Sequence, residues 1–316
     1  MTAPAPAPAL RRELGLASAS LLVVGGIIGS GIFFTPAEVG RALPTSAWIL
    51  GVWAGGGLVA LAGALTFAEL GAMLPEAGGP YVYIREAFGP LVAFLHGWMI
   101  LLLIASGAIA AVALSFAGYL ARFVPIGGVG GPLGAAAITI AAVTLTNVLG
   151  VKPGTFAANV FTVSKIAALA ALIVAGLAIT PLPVAGPLPA PPAPPPLANG
   201  LAAAFVAVLF TIGGWQQTNM VAGEIRDPAR TLPRALMLGI AIVIVIYVGA
   251  NLAYLHALGR DGLASSGAVA ADTAGRVLGP AGATAITVAA MLSIFGFVNV
   301  ALLANARVLY ALGRDG

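Results

Sequence analysis

Val24-Gly25-Gly26-Ile27-Ile28-Gly29-Ser30-Gly31-Ile32-Phe33 decides the fold of this chain. The stretch lies inside an apolar segment long enough to span a bilayer, yet it places four glycines between positions 25 and 31. Each glycine costs a helix roughly 1 kcal/mol relative to alanine. Broken backbone at membrane depth is tolerated only where it faces protein or a water-filled cavity. Opening the helix here frees carbonyls on one side and amides on the other. Together they can hold a zwitterion with no charged side chain.

Composition agrees with a membrane setting. Of the 316 residues, 60% are hydrophobic and only 8% are charged, and the mean hydropathy is +1.06. A soluble domain carries about 25% charged residues, so the chain reads as an all-α polytopic membrane protein. The net charge of +4 and the pI near 9.8 do not describe a nucleic-acid binder. The basic residues are few, scattered and without aromatic interleaving. The residues contain no cysteine, which excludes thiol chemistry among them and gives no anchor for a disulfide-linked subunit.

About eight spans follow from the rule that ~20 apolar residues cross the hydrocarbon core. They cover roughly 14–40, 46–74, 87–123, 132–149, 154–180, 199–222, 234–257 and 281–312. The third is long enough to be tilted. Residues 262–279 read as a loop helix. Residues 1–13 form a disordered tail, and the proline-rich loop 181–198 is extended. With the N-terminus in the cytoplasm, inner loops hold Arg11, Arg12, Arg85, Lys152, Arg226, Arg230, Arg234 and Arg314, against Arg41, Arg122, Arg260 and Arg276 outside. That bias sets the orientation in an inner (plasma) membrane.

Phe210-Thr211-Ile212-Gly213-Gly214-Trp215 interrupts the sixth span. Broken spans 1 and 6, five apart, suggest an inverted repeat. Residues 14–180 form the first repeat and 199–316 a partial second one. At the first break, the amides of Ser30, Gly31 and Ile32 are placed to bind a carboxylate, and the carbonyls of Gly26, Ile27 and Ile28 to accept an ammonium. At the second, the carbonyls of Phe210 and Thr211 accept the same ammonium, and Gly213 and Gly214 allow the unwinding. The site predicts transport of an amino acid. A membrane enzyme is not expected, because no nucleophile–base pair, phosphate loop or metal cluster appears, and His96 and His256 stand alone. No cofactor is called for.

Four strings resemble the amino acid–polyamine–organocation superfamily of transporters, above all its L-type-like branch. They are GGIIGSGIFFTP (25–36), AELGAMLPEAGGPYVYIREAF (68–88), GGWQQTNMVAGEIRDPARTL (213–232) and NARVLYALGRDG (305–316). The ordered set spans the chain from residue 11. The resemblance implies the five-helix inverted-repeat fold, with the roles just given for the first break. It also implies an aromatic gate at Phe210, and that the loop 75–86 folds under span 1 as an inner gate. It places Lys165, in span 5, where sodium-coupled relatives hold sodium, so that it steadies span 1 and makes transport sodium-independent, by proton coupling or exchange. Glu69 is open to three roles: a cap, a partner of Arg85, or a gate residue. Trp215 is either packing or gate. The run 224–230 reads as a solvated helix end. Spans 3 and 8 offer no carboxylate for a cationic side chain, which favours neutral substrates. Family members continue beyond an eighth span, so a truncated, non-transporting fragment is one alternative and a membrane amino acid sensor another.

Overall fold

The computed structural model describes residues 11–128, 130–148, 151–182, 191 and 193–315. Most of the N-terminal tail and most of the proline-rich loop lie outside them. The described residues form helices with no strand beyond one isolated bridge between Leu14 and Ile225. Seven helices are long and apolar enough to cross a membrane, and a bent pair at the start makes an eighth span.

That pair is α1 (Leu16–Ile27) and α2 (Gly31–Ala42), which meet at 44°. Ile28 leaves the helix with ψ 91°, its N–H still bonded to the Val24 carbonyl. Span 2 is α3 (Ser46–Met73), capped by Thr45, whose Oγ1 accepts from the Trp48 N–H. Two glycines in the left-handed region, Gly78 and Gly79, then turn the chain into α4 (Pro80–Phe88). A side chain on Gly79 would sit 2.8 Å from the backbone of Asn219 and Met220, so only glycine lets this loop reach the sixth span.

Span 3 runs through α5 (Pro90–Met99), a π-helical turn and α6 (Ser106–Leu120). Spans 4 and 5 are α7 (Gly131–Val148) and α8 (Val151–Ala178). Span 6 is α9 (Leu197–Ile212) followed, after a break, by the short α10 (Gln217–Met220). Span 7 lies in α11 (Pro228–Ser265) and span 8 in α12 (Val269–Asp315). Each is bent by a left-handed glycine, Gly259 and Gly279 respectively. The expected loop helix therefore corresponds to the end of α11 and the start of α12, cut off from the spans by these two bends.

Packing depends on small residues, as expected where lipid supplies no hydrophobic force between helices. Gly176 of α8 lies against Ala253 of α11, where an added Cβ would come within 2.8 Å. Helix α1 is held between α8, α11 and α12, and Leu22, Val23, Val24 and Ile27 are buried. The leucines of span 3 face outward, Leu102 at 63% and Leu103 at 70% exposure, as lipid-facing side chains should. The inner side of span 3 meets span 8 through Phe116 and Phe295, edge to face at 4.9 Å.

Candidate functional site

The two helix breaks lie against each other. A Cβ on Gly31 would come within 2.6 Å of Thr211 Cγ2, and one on Gly26 within 3.0 Å of the Gly214 carbonyl. Ser30, Gly31 and Ile32 open α2, so their N–H groups have no partner inside the helix. Nor do they donate to any other backbone carbonyl among the described residues. Three aligned, unspent donors at a positive helix end form an anion site made only of backbone.

The carbonyls of the first break divide in two. A carbonyl oxygen has two lone pairs. Ile28 O accepts from Lys165 Nζ and, at 3.2 Å, from Ser293 Oγ. Ile27 O accepts from Gly29 N–H at 2.9 Å and Tyr247 Oη at 3.3 Å. Two of the three acceptors expected at this break, Ile27 and Ile28, are thus approached by other donors in this conformation, with Ser293 and Tyr247 each sharing one hydroxyl proton between two carbonyls. Sequence reasoning missed the reason: Tyr247 and Ser293 come from spans 7 and 8, far away in the chain. Among the described residues, Gly26 O receives no hydrogen bond from outside its helix. Across the gap, and again among the described residues, Phe210 O accepts only from Gly213 N–H at 3.2 Å and Thr211 O only from Tyr247 Oη at 3.4 Å. These three oxygens retain acceptor capacity.

Lys165 is 1% exposed and donates to Gly25 O at 3.3 Å, Ser293 O at 3.2 Å and Ile28 O. All three ammonium donors are therefore spent, two on carbonyls where α1 ends, the negative end of that half-helix, and one on Ser293 O of span 8. A side chain on Gly296 would come within 3.2 Å of Nζ, so a glycine on span 8 leaves the lysine its room. Ser293 Oγ also binds Gly29 O at 2.9 Å. The broken span is thus braced from behind by spans 5 and 8.

The second break is held without charge. Gly214 adopts φ 107°. Thr211 Oγ1 donates to Ala207 O and accepts from Thr35 Oγ1, each at 2.8 Å. Gln216 Oε1 accepts from Gly214 N–H at 3.0 Å. Gly213 is the extended residue that ends α9. Trp215 is half-buried and meets Phe67 edge-on at 5.0 Å. Phe210 is 76% exposed, so in this conformation its ring does not cover the break.

The gate residues are arranged differently from the sequence reading. Glu69 is exposed and is not a partner of Arg85. Arg85 binds Asp315 at 2.7 Å, with Glu86 and Glu76 at 3.3 and 3.8 Å. The Asp315 hydrogen bond, set against burial, holds the Arg85 guanidinium above its ordinary pKa. The expected solvated run after span 6 is not solvated at its head. Glu224 is 1% exposed and pairs with Arg307 Nε at 2.6 Å. Neither residue stood out in sequence, because the helix period alone gives no sign that two ends so far apart meet. Loop 75–86 packs against the short helix α10 of span 6: Gly78 N–H binds Met220 O at 2.9 Å, and Tyr83 Oη accepts from Asn219 Nδ2 at 2.9 Å.

Two discontinuous spans in contact, with backbone amides and carbonyls unspent between them and Lys165 behind the first, give a polytopic helical protein a site lined by backbone. The amino acid permease family model matches residues 14–316, and the chain belongs to that family. It is 36% identical to b(0,+)-type amino acid transporter 1 of Mus musculus over 97% of this chain and 64% of that protein. It is 35% identical to large neutral amino acids transporter small subunit 2 of Mus musculus and of Homo sapiens, over 98% of this chain and 59% of theirs. The chain thus spans just under two thirds of the length of these relatives.

Proposed function

We propose that this chain carries the substrate site of a secondary transporter for neutral amino acids, working by alternating access. The observation that carries the reading is the facing pair of breaks. N–H groups of Ser30, Gly31 and Ile32 bind the substrate carboxylate, and Gly26 O, Phe210 O and Thr211 O take its ammonium. Spans 3 and 8 line the side-chain pocket, where Phe116 and Phe295 are apolar and no carboxylate stands ready for a cationic side chain. The relatives named for b(0,+)-type and large neutral amino acid transport support the substrate class.

Lys165 acts as a tethered cation behind the site, so transport runs without sodium, by proton coupling or exchange. The chain is a multi-pass inner-membrane protein with its N-terminus in the cytoplasm, supported by the arginine bias of its loops. In this reading it works without a cofactor. The residues in hand contain no cysteine for a disulfide-linked subunit, and no basic patch for nucleic acid. Residues 14–180 and 199–316 are the two repeats. The test is uptake of labelled leucine by the full-length protein in proteoliposomes, with sodium exchanged for choline at fixed pH and potential. Saturable, stereoselective uptake that is indifferent to the exchange is expected. A several-fold loss in choline would overturn the role given to Lys165.

A further inference from the structure

Below the breaks, α1, α10 and α12 close on one another in a dry seam lined by Leu22, Gln217, Thr218, Val221, Val300 and Leu303. Two polar atoms in it have no partner: Gln217 Oε1 and Thr218 Oγ1, the latter on a residue 1% exposed. Buried polar atoms are nearly always hydrogen-bonded. A seam that strands two of them is a surface suited to water in another state. At its foot stands the Glu224–Arg307 pair, with Glu224 Oε2 also buried and unpartnered. Arg307 belongs to α12, while Glu224 follows α10. The pair therefore ties the two sides of the seam together.

The same residue holds a third element. Glu224 O accepts from the N–H groups of Glu13 and Leu14, each at 2.9 Å, and Arg226 N–H returns to Leu14 O at 2.8 Å. The arm entering α1 is thus fastened to the residue that carries the buried charge. A buried pair is costly to break while it stays dry, because a lone charge is then left unsolvated. Water entering the seam removes that penalty by hydrating both partners. Such a pair has two arrangements, shut and dry or open and wet.

We propose that Glu224 and Arg307 form a latch that holds the α1–α10–α12 seam shut, and that releasing it frees the entry arm of α1 and exposes Gln217 and Thr218. The proposal rests on the transporter reading only for the purpose of the opening. Its test reads opening directly.

Val221→Cys places a thiol on a side chain that lines the seam, in residues that hold no cysteine of their own; any cysteine elsewhere in the full-length protein is replaced by serine. In nanodiscs of the full-length protein, modification by a water-soluble maleimide reports seam opening. E224Q and R307Q are each expected to raise the rate about tenfold. The exchanged pair E224R with R307E is expected to return it to near the parent value. Arg307→Lys keeps the charge but loses the Nε hydrogen bond. It is expected to give a smaller rise, and it serves as the readout should a glutamine variant not survive solubilisation. An unchanged rate in E224Q, or in R307K when that variant is the readout, overturns the latch. So does an exchanged pair that labels as fast as the single variants, because the gain would then be general loosening. Labelling as expected in a protein that takes up no amino acid supports the latch and removes the transporter reading.

Discussion

The two helix breaks do similar work with opposite means. The first is braced by a charge: Lys165 spends its donors on Gly25, Ile28 and Ser293. The second is shaped by backbone freedom and neutral contacts: Gly214 at φ 107°, the Thr211–Thr35 hydroxyl pair and Tyr247 Oη reaching Thr211 O. The difference follows from what each break must present. The first turns a half-helix C-terminus toward the protein, and a negative end buried in a low dielectric is stabilised by a cation. The second turns acceptors toward the gap, and a fixed cation beside them would compete with the ammonium proposed to bind there. One break is therefore fixed and the other left adjustable.

Removing the brace breaks the comparison most severely. Lys165→Met deletes hydrogen bonds from a charged donor, each worth about 1.5–3 kcal/mol, and leaves two carbonyls at the end of α1 and one of span 8 without it. Leucine uptake is expected to vanish and the melting transition in detergent to fall by several degrees. A variant that melts and transports like the parent would show that the first break needs no brace.

Gly31→Val tests the contact between the breaks. Its Cβ would stand 2.6 Å from Thr211 Cγ2, and overpacking costs about 1–3 kcal/mol. Here a branched side chain also crowds the amides. Binding of labelled leucine, followed by scintillation proximity, is expected to disappear while insertion persists. Thr211→Ser, which removes the opposing methyl, is expected to restore part of the binding to Gly31→Ala. No rescue would place the crowding elsewhere.

The smallest effect belongs to Phe210. Its ring is exposed, so Phe210→Ala should move the melting temperature little, in line with surface changes of about ±0.5 kcal/mol. If Phe210 is the aromatic lid proposed for this break, apparent substrate affinity is expected to fall several-fold. An unchanged KM would mean that the second break has no aromatic lid.

Much of the site was legible in the chain because a helix with clustered glycines at membrane depth has few acceptable explanations. Gly29, Ser30 and Gly31 located the first break to within a residue, and Gly213 and Gly214 located the second. Lys165 stood out because a charge in an apolar span is costly. The eight spans and the helical connection between the last two followed from hydropathy and glycine placement.

What sequence could not tell was which lone pairs would be spent. Ile27 and Ile28 read as substrate acceptors from their position alone, whereas Tyr247 and Ser293, arriving from spans 7 and 8, take their capacity. Of the three roles left open for Glu69, the pairing with Arg85 is not the one formed, since Arg85 binds Asp315; Glu224 likewise turned from solvent to Arg307. Local backbone chemistry is written in neighbouring residues, so the breaks and the free amides were determined by the sequence itself. Hydrogen-bond partners separated by more than 200 positions, such as Tyr247 and Ile27, were decided only by the tertiary structure, because only the packing of α1 against α8, α11 and α12 brings those atoms within reach.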